Sequence, residues 1–193
     1  TDDKGTGAAA KIADRASRAE TPMFADAGAR DASVAGTAPP PVPRNYEAVL
    51  DQASFERWMQ AIERAELVCF DTETTSLDYM SAEIVGVSFC VEPGHAAYVP
   101  LAHDYAGVPE QLPRADALAK LKPLLEDPRR AKLGHHLKYD AHVLANHGIA
   151  LDGMRYDSML ESYVLNSTAT RHDMDSTAKK YLGIDTIHYE DVA

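Results

Sequence analysis

The chain has 193 residues, 45% of them hydrophobic, which is enough for one domain with an apolar core and some additional tail. Its formal net charge of −11 argues against a protein that holds nucleic acid on a broad basic surface, because such proteins gain affinity by neutralising phosphates. We find no apolar run of membrane-spanning length and no leader peptide, so we expect no membrane association. The two cysteines, Cys69 and Cys90, are expected to be buried free thiols of a cytoplasmic protein.

The first 43 residues are rich in Ala, Asp, Gly, Thr and Pro and end in a proline-rich stretch at 39–43. This composition cannot bury enough apolar surface to offset the entropy of ordering, and consecutive prolines favour an extended chain. We therefore predict a flexible linker over residues 1–43 and a folded domain over residues 44–193.

A helix is predicted after this linker. Ser54 is a suitable N-cap, and the apolar residues Phe55, Trp58, Met59 and Ile62 follow at helical spacing. Trp58 is therefore interpreted as a core residue and not as a platform for stacking bases.

Three short β-favouring runs come next, at 66–70, 84–91 and 96–99, and their close spacing predicts an antiparallel meander. A helix is predicted over 116–126, with a bend or interruption at Pro123.

The later part of the domain alternates between strand and helix. Strands are predicted at 132–133 and 154–156, with a helix between them over 139–146. A last helix is predicted to start at Ser158, where Glu161 stands three residues later as in a capping box. This order of elements indicates an α/β fold.

Three carboxylates are the candidate chemical groups. Asp71 and Glu73 follow the first apolar strand run, and residues two apart in a strand point to the same face. A third carboxylate, Asp140, lies near the predicted start of a helix. Carboxylate oxygens suit hard divalent ions such as Mg²⁺ and Mn²⁺, although a motif as short as Asp-x-Glu is by itself more often structural.

The sequences around these carboxylates resemble a known family. Residues 70–78, Phe-Asp-Thr-Glu-Thr-Thr-Ser-Leu-Asp, and 135–140, His-His-Leu-Lys-Tyr-Asp, resemble the first two motifs of the four-carboxylate 3'-5' exonucleases. From about residue 45 to residue 189 the chain resembles the proofreading domains of bacterial DNA polymerase I, including the strings at 121–127, 157–166 and 171–175. The resemblance implies a ribonuclease-H-like mixed sheet flanked by helices.

The resemblance also implies a function, which is removal of the terminal nucleotide from a single-stranded 3' end of DNA, beside the polymerase domain of the same full-length protein. It implies two divalent ions, Mg²⁺ or Mn²⁺, that activate a water and stabilise the leaving oxygen. Asp71 bridges both ions in the resembled family, Glu73 serves the ion that carries the water, and Asp140 holds the other ion through water.

Further residues are implied to contact the last nucleotides. For three of them a purely structural role stays open as the alternative to nucleotide binding. Leu77 could pack against the protein, Tyr139 could be a core ring with a solvated hydroxyl, and Arg171 could be a solvated charge. The implied substrate-binding residues are Thr74, Leu77, His136, Tyr139, Arg171 and Tyr189.

The chain departs from the resembled family at two histidines. His136 stands where that family carries Asn and His135 where it carries Gln, so we expect substrate contacts that are sensitive to pH. With His142 and His147 these residues invite a zinc interpretation, but the group lacks the thiols and compact spacing of zinc sites.

The family's third motif, Tyr-x-x-x-Asp, is expected to be missing. The literal match from Tyr181 to Asp185 contains Gly183, which disfavours the helix that should carry the motif, so we interpret it as coincidence. We therefore expect an exonuclease domain that lacks its C-terminal helix and has weakened activity. Two alternatives remain open: an inactive structural module of a polymerase, and a free-standing exonuclease that trims RNA.

Overall fold

The computed structural model describes residues 42–169 and 171–187. The strands of this part are β1 (Asn45–Ala48), β2 (Leu67–Thr74), β3 (Ile84–Glu92), β4 (His95–Pro100), β5 (Ala131–Gly134) and β6 (Met154–Asp157). The helices are α1 (Gln52–Arg64), α2 (Arg114–Leu125), α3 (Leu137–Asn146), α4 (Ser158–Leu165) and α5 (Met174–Thr177), and a π-helical turn, Ala178–Leu182, follows α5. The predicted linker lies outside the described residues up to position 41, and its boundary stays a prediction.

All the described strands belong to one sheet with the order β1-β4-β3-β2-β5-β6. Strands β2, β3 and β4 pair antiparallel, which confirms the predicted meander. The other three pairs of neighbouring strands are parallel: β1 with β4, β2 with β5, and β5 with β6. The fold is therefore α/β with one mixed sheet. Strand β2 lies between the antiparallel neighbour β3 and the parallel neighbour β5.

The edge strand β1 was not predicted. Asn45 pairs with His95 and Ala48 with Tyr98, so β1 depends on a partner strand about fifty residues away in sequence. Most of β1 is exposed, and burial does not alternate along its four residues. A short exposed strand of this kind gives little periodic signal.

Helix α1 begins earlier than predicted. Its N-cap is Asp51, whose carboxylate accepts a hydrogen bond from the Ser54 backbone N–H at 2.8 Å, so the prediction of Ser54 as the cap was wrong. Asp and Ser are both good caps, and the sequence offers both within one turn. The apolar stripe is confirmed: Phe55, Trp58 and Ile62 are buried in the core.

A bend or an interruption was predicted at Pro123; helix α2 continues through this residue, so the interruption does not occur. Proline lacks the N–H that would bond the carbonyl four residues earlier, but this loss affects a single bond in the last turn. The turn still closes, because the Glu126 N–H donates to the Lys122 carbonyl at 3.0 Å.

The core is formed by strand and helix residues together, with Val68, Phe70 and Phe89 of the sheet and Ile62 and Leu121 of the helices all buried. Burial of such side chains is the main favourable contribution to folding. Within residues 42–169 and 171–187, we find no helix whose length and apolar character would let it cross a bilayer.

Candidate active site

Strand β2 carries two of the three candidate carboxylates on one face. The sequence predicts Asp71 and Glu73 directly after the end of this strand. The strand extends to Thr74 instead, so both residues lie inside it. Pairing with β3 sustains this extension, with Asp71 opposite Ser88 and Glu73 opposite Gly86. Asp71 is half-buried and Glu73 is exposed. The register shifts directly after Glu73, and the last residue of the strand, Thr74, pairs with Ile84.

Helix α3 supplies the third carboxylate. Asp140 lies in the first turn of the helix and is only 2% exposed. Its Oδ1 accepts two hydrogen bonds from Thr72, one from the backbone N–H at 2.9 Å and one from the hydroxyl at 2.6 Å. Thr72 lies between Asp71 and Glu73, so these bonds hold Asp140 against the strand segment that carries the other two carboxylates. Sequence analysis assigned no role to Thr72.

The three carboxylates interact electrostatically. Burial, and then the negative charges of Asp140 and Glu73, raise the pKa of Asp71 to about 7. Burial also raises the pKa of Asp140, against the opposing effect of the Thr72 hydrogen bonds. A half-buried acid beside two other acids is destabilised when it ionises, and a bound cation would remove this cost.

This donor set fits a hard divalent ion in its chemistry, since all three groups offer carboxylate oxygens. Among the described residues, no group of three or more His, Cys, Asp or Glu side chains is arranged so that it could hold a metal ion. One cause is visible at Asp140, whose Oδ1 is turned to Thr72, leaving only Oδ2 for another partner. Metal ligation by Asp71, Glu73 and Asp140 therefore stays a prediction.

The turn after β2 brings two predicted substrate-binding residues together. The hydroxyls of Thr74 and Tyr139 are hydrogen-bonded at 2.5 Å, and the Tyr139 hydroxyl also donates to the Ser76 carbonyl at 2.5 Å. The Tyr139 ring packs against the core. Leu77, in the same turn, is 95% exposed and has no packing role here. A large apolar side chain held out from a fixed turn is available to contact a ligand.

His136 lies at the start of α3 in an unusual backbone conformation. Its φ of 66° is in the left-handed region, which is uncommon for residues other than glycine. The side chain is exposed, and the ring centroid is 6.4 Å from that of Tyr139. His136 therefore lies beside the Thr74–Tyr139 pair, at the end of α3 that also carries Asp140.

Asp157 fixes this end of α3, and sequence reasoning missed it. Its carboxylate accepts from the His136 and Leu137 backbone N–H groups at 3.1 and 2.9 Å. It also accepts from the Met159 and Leu160 N–H groups at 3.0 and 3.3 Å, which makes it the N-cap of α4. One carboxylate thus satisfies the open N–H groups of two helices. An Asp directly before Ser158 was the available signal.

The capping-box prediction for α4 was accordingly wrong. Ser158 is the first helical residue, and its hydroxyl lies 3.0 Å from Nδ1 of His135 and donates to the Gly134 carbonyl at 3.2 Å. The hydroxyl is therefore occupied by the β5 terminus and does not cap its own helix.

Two predicted substrate residues are not joined to this group. Arg171 lies after α4, with a side chain that is 90% exposed and an ion pair to Asp173 at 3.3 Å. This matches the alternative of a solvated charge, and no contact with the carboxylates is seen for it among the described residues. Tyr189 lies outside the described residues.

The four histidines of the zinc alternative have separate surroundings. His135 contacts Ser158, and His136 lies beside Tyr139. His142 stacks on Tyr79 with 4.5 Å between ring centroids, and Nε2 of His147 accepts from the Ile84 N–H at 3.2 Å. Their side chains do not gather around one point in the part of the chain that the structure describes.

The literal Tyr-x-x-x-Asp match is also separate from the carboxylates. The Asp185 carboxylate pairs with Lys179 at 2.5 Å, and the Tyr181 hydroxyl lies 3.4 Å from that of Ser162. Gly183, with a φ of 67°, ends the π-helical turn that carries Tyr181. Neither residue is among the groups whose charge shifts the pKa of Asp71.

Comparison with known proteins gives relatives along most of the chain. A family model described as 3'-5' exonuclease matches residues 46–193. The DNA polymerase I of Pseudomonas aeruginosa is 60% identical over 169 residues, which are 86% of this chain and 18% of the relative. The DNA polymerase I of Rhizobium leguminosarum is 41% identical over 165 residues, which are 77% of this chain and 16% of the relative. The chain thus spans less than a fifth of the length of these relatives.

Solved structures share the fold at low sequence identity. Escherichia coli RNase D, an exoribonuclease involved in structured RNA processing, gives a TM-score of 0.56 at 16% identity and covers 77% of this chain and 36% of its own. The POL domain of Pol1 from M. smegmatis, in complex with a DNA primer-template and dNTP, gives 0.58 at 20% identity, over 72% of this chain and 23% of its own. The likeness confirms the predicted ribonuclease-H-like α/β fold.

Proposed function

The chain belongs to the 3'-5' exonuclease family of DNA polymerase I, and from this premise we propose that it hydrolyses the 3'-terminal phosphodiester of single-stranded DNA with two divalent metal ions. The observation that carries the proposal is the electrostatic coupling of Asp71 with Asp140 and Glu73 on and beside one strand segment. Negative charges beside an acid raise its pKa, as they do at Asp71, and such perturbed groups are concentrated at functional sites.

The metal chemistry assigns a role to each carboxylate. Divalent ions, when bound, lower the pKa of a bound water and offset charge on the leaving oxygen. Asp71 and Glu73 offer oxygens from one strand face, and Asp140 offers the oxygen that Thr72 does not occupy. In the proposed site Asp71 would help to hold both ions, Glu73 would help to hold the one that carries the water, and Asp140 the other.

The turn after β2 is proposed to bind the terminal nucleotide. Leu77 is 95% exposed and is available to pack against the last base. The bond between Thr74 and Tyr139 fixes the turn from which Leu77 projects. We assign His136, Arg171 and Tyr189 to the following nucleotides on the family resemblance alone. The net charge of −11 supports local contacts of this kind over a broad electrostatic surface.

The proposal gives Tyr181 and Asp185 no part in the site. Asp185 is paired with Lys179, and Tyr181 is placed beside Ser162. A complete site of this family uses a tyrosine to hold the water in line, and misplacement of a reacting group by about 1 Å can cost on the order of a hundredfold in rate. We therefore propose that hydrolysis by these 193 residues alone is weak.

The partner of this domain is proposed to be the polymerase domain of the same full-length protein, since the curated relatives are complete DNA polymerase I chains. An inactive structural module and a free-standing RNA-trimming exonuclease are the alternatives. Asp71, Glu73 and Asp140 would be unnecessary in an inactive module, where three neighbouring acids only reduce stability.

Digestion of 3'-labelled oligonucleotides tests the proposal. Single-stranded DNA and RNA of the same sequence are incubated with an excess of the chain, with and without Mn²⁺. We expect slow, Mn²⁺-dependent release of the labelled DNA nucleotide that Asp71→Asn abolishes. Asp185→Asn is the matched control, because its carboxylate is paired with Lys179, and it should keep the parent rate.

The other outcomes separate the alternatives. No release of either nucleotide under any condition favours the inactive module. Faster release from RNA favours the RNA-trimming enzyme. Loss of activity in Asp185→Asn would show that the segment from Tyr181 to Asp185 completes the site.

A further inference from the structure

A tyrosine that has no part in the assignments above lies beside the carboxylates. Tyr98 of β4 is opposite Ser88, which is opposite Asp71 on the next strand. The Tyr98 ring leans over Gly86, where an added Cβ would lie 2.0 Å from the phenolic oxygen. The hydroxyl therefore occupies the space of the missing side chain at position 86. Gly86 is opposite Glu73, and opposite side chains of an antiparallel pair lie about 5 Å apart at Cβ.

The Tyr98 side chain is held in this position by its neighbours. Its hydroxyl is hydrogen-bonded to Nε2 of His103. His103 is fixed through its backbone by Gln111, whose side chain accepts from the His103 N–H and donates to the His103 carbonyl, both at 2.9 Å. Closely packed and fully bonded supports of this kind keep a functional group in one orientation.

Glu73 lacks such a support. The Asp140 carboxylate is held by two bonds from Thr72, whereas the exposed Glu73 carboxylate accepts no hydrogen bond from residues 42–169 or 171–187. Burial raises the pKa of Tyr98 to about 12, and the negative charge of Glu73 contributes in the same direction. The phenol is thus protonated at neutral pH, close to a carboxylate that has no described donor.

We propose that Tyr98 is a positioning residue for Glu73, donating its phenolic hydrogen to the Glu73 carboxylate when a divalent ion binds. His103 carries its proton on Nε2 in this arrangement and donates to the Tyr98 oxygen, which leaves the phenolic hydrogen for Glu73. Gly86 is required because a side chain there would displace the hydroxyl. The inference rests on the proposed function, because it gives Glu73 a metal to hold.

The first test is the affinity for Mn²⁺, measured by titration calorimetry on the full chain. Tyr98→Phe should weaken binding about tenfold, the size expected for one hydrogen bond to a charged group, while the chain stays folded with only the small loss of stability that follows from the missing bond to His103. Tyr46→Phe is the matched control, since Tyr46 is a 66% exposed tyrosine of the neighbouring edge strand, and it should bind as the parent does.

Substitutions at His103 and at Gly86 test the support. His103→Gln retains an N–H donor and should recover more of the affinity than His103→Ala. Gly86→Ala should weaken Mn²⁺ binding as Tyr98→Phe does, and the double variant should bind as weakly as either single variant, because both changes remove the same contact.

The inference and the proposed function fail in different ways. Hydrolysis of 3'-labelled DNA should fall in Tyr98→Phe through kcat at saturating substrate, with KM unchanged. Parent Mn²⁺ affinity and parent kcat in a folded Tyr98→Phe, with Asp71→Asn inactive, would overturn the positioning role alone. A lower melting temperature without a change in Mn²⁺ affinity would also overturn it. An active Asp71→Asn would overturn the proposed function and this inference with it.

Discussion

Thr72 holds Asp140 by two hydrogen bonds to the same oxygen, from the backbone N–H at 2.9 Å and from the hydroxyl at 2.6 Å, across 68 positions of sequence. The two residues join β2 to α3 at the point where the carboxylates meet. Because Oδ1 is occupied, the orientation of the remaining Asp140 oxygen is determined by Thr72. The residue between Asp71 and Glu73 therefore contributes to the site although it is not a predicted metal ligand.

Thr72→Val should lower both stability and hydrolysis. It keeps the shape and the backbone bond but removes the hydroxyl, and loss of a hydrogen bond to a buried charged group costs about 1.5 to 3 kcal/mol. Urea unfolding measures the first effect and single-turnover digestion of 3'-labelled DNA the second. Thr72→Ser retains the hydroxyl and serves as the control. Equal hydrolysis by the Val and Ser variants would show that the hydroxyl does not orient Asp140.

The stability of the metal-free chain should depend on the ionisation of Asp71. Burial and then the neighbouring acids raise its folded-state pKa from 3.8 to about 7. The folded chain therefore binds this proton more tightly than the unfolded chain. The contribution to stability is complete below about pH 4 and is lost as the pH rises through about 7.

Asp71→Asn isolates this effect, because the amide does not titrate. Urea unfolding in EDTA should show the variant gaining stability relative to the parent from about pH 4 to about pH 7. Saturating Mn²⁺ should reverse the order, because the ion stabilises only the parent site. Parallel stability curves for the two proteins in EDTA would contradict the raised pKa.

Asp157→Ala should cost more stability than Asp51→Ala. Asp157 accepts from the first N–H groups of α3 and α4, whereas Asp51 caps α1 alone. Loss of one cap costs about 0.5 to 2 kcal/mol, so we expect about twice that loss at position 157. Because α3 carries Asp140, only the change at position 157 should also weaken Mn²⁺ binding. Equal costs for the two variants would mean that one of the helix ends does not depend on Asp157.

Leu77→Ala should reduce hydrolysis without reducing stability. The side chain is 95% exposed, so its removal should change the free energy of unfolding by less than about 0.5 kcal/mol. Loss of an apolar contact with the terminal base should slow its release from labelled DNA. Leu165→Ala, at a site that is 73% exposed on α4, is the matched control and should keep the parent rate. A parent rate for Leu77→Ala would remove Leu77 from the proposed site.

The central meander was predictable because its signals are local. The runs at Leu67–Thr74, Ile84–Glu92 and His95–Pro100 are rich in β-favouring side chains and are separated by turn-forming residues. Strand β1 was missed because Asn45–Ala48 is short, mostly exposed and defined by its distant partner β4. The two wrong caps, Ser54 and Ser158, each have a capping Asp at an earlier position, and sequence does not show which side chain will bond.

Parts of the site were also accessible from sequence. Asp71 and Glu73 share a face because their spacing of two matches the period of a strand. The contacts of Asp140 with Thr72 and of Tyr98 with Gly86 depend on how distant segments pack, and no local pattern encodes them. The second role of Asp157, at the start of α3, is hidden for the same reason.

The most direct test of the account is Mn²⁺ binding and single-turnover release of a 3'-terminal nucleotide from single-stranded DNA, measured on the parent chain, Asp71→Asn and Asp185→Asn. We expect the parent and Asp185→Asn to bind Mn²⁺ and to release the nucleotide slowly at equal rates. We expect Asp71→Asn to stay folded, to lose Mn²⁺ binding and to release no nucleotide. Unchanged Mn²⁺ binding and unchanged release by Asp71→Asn would contradict the account.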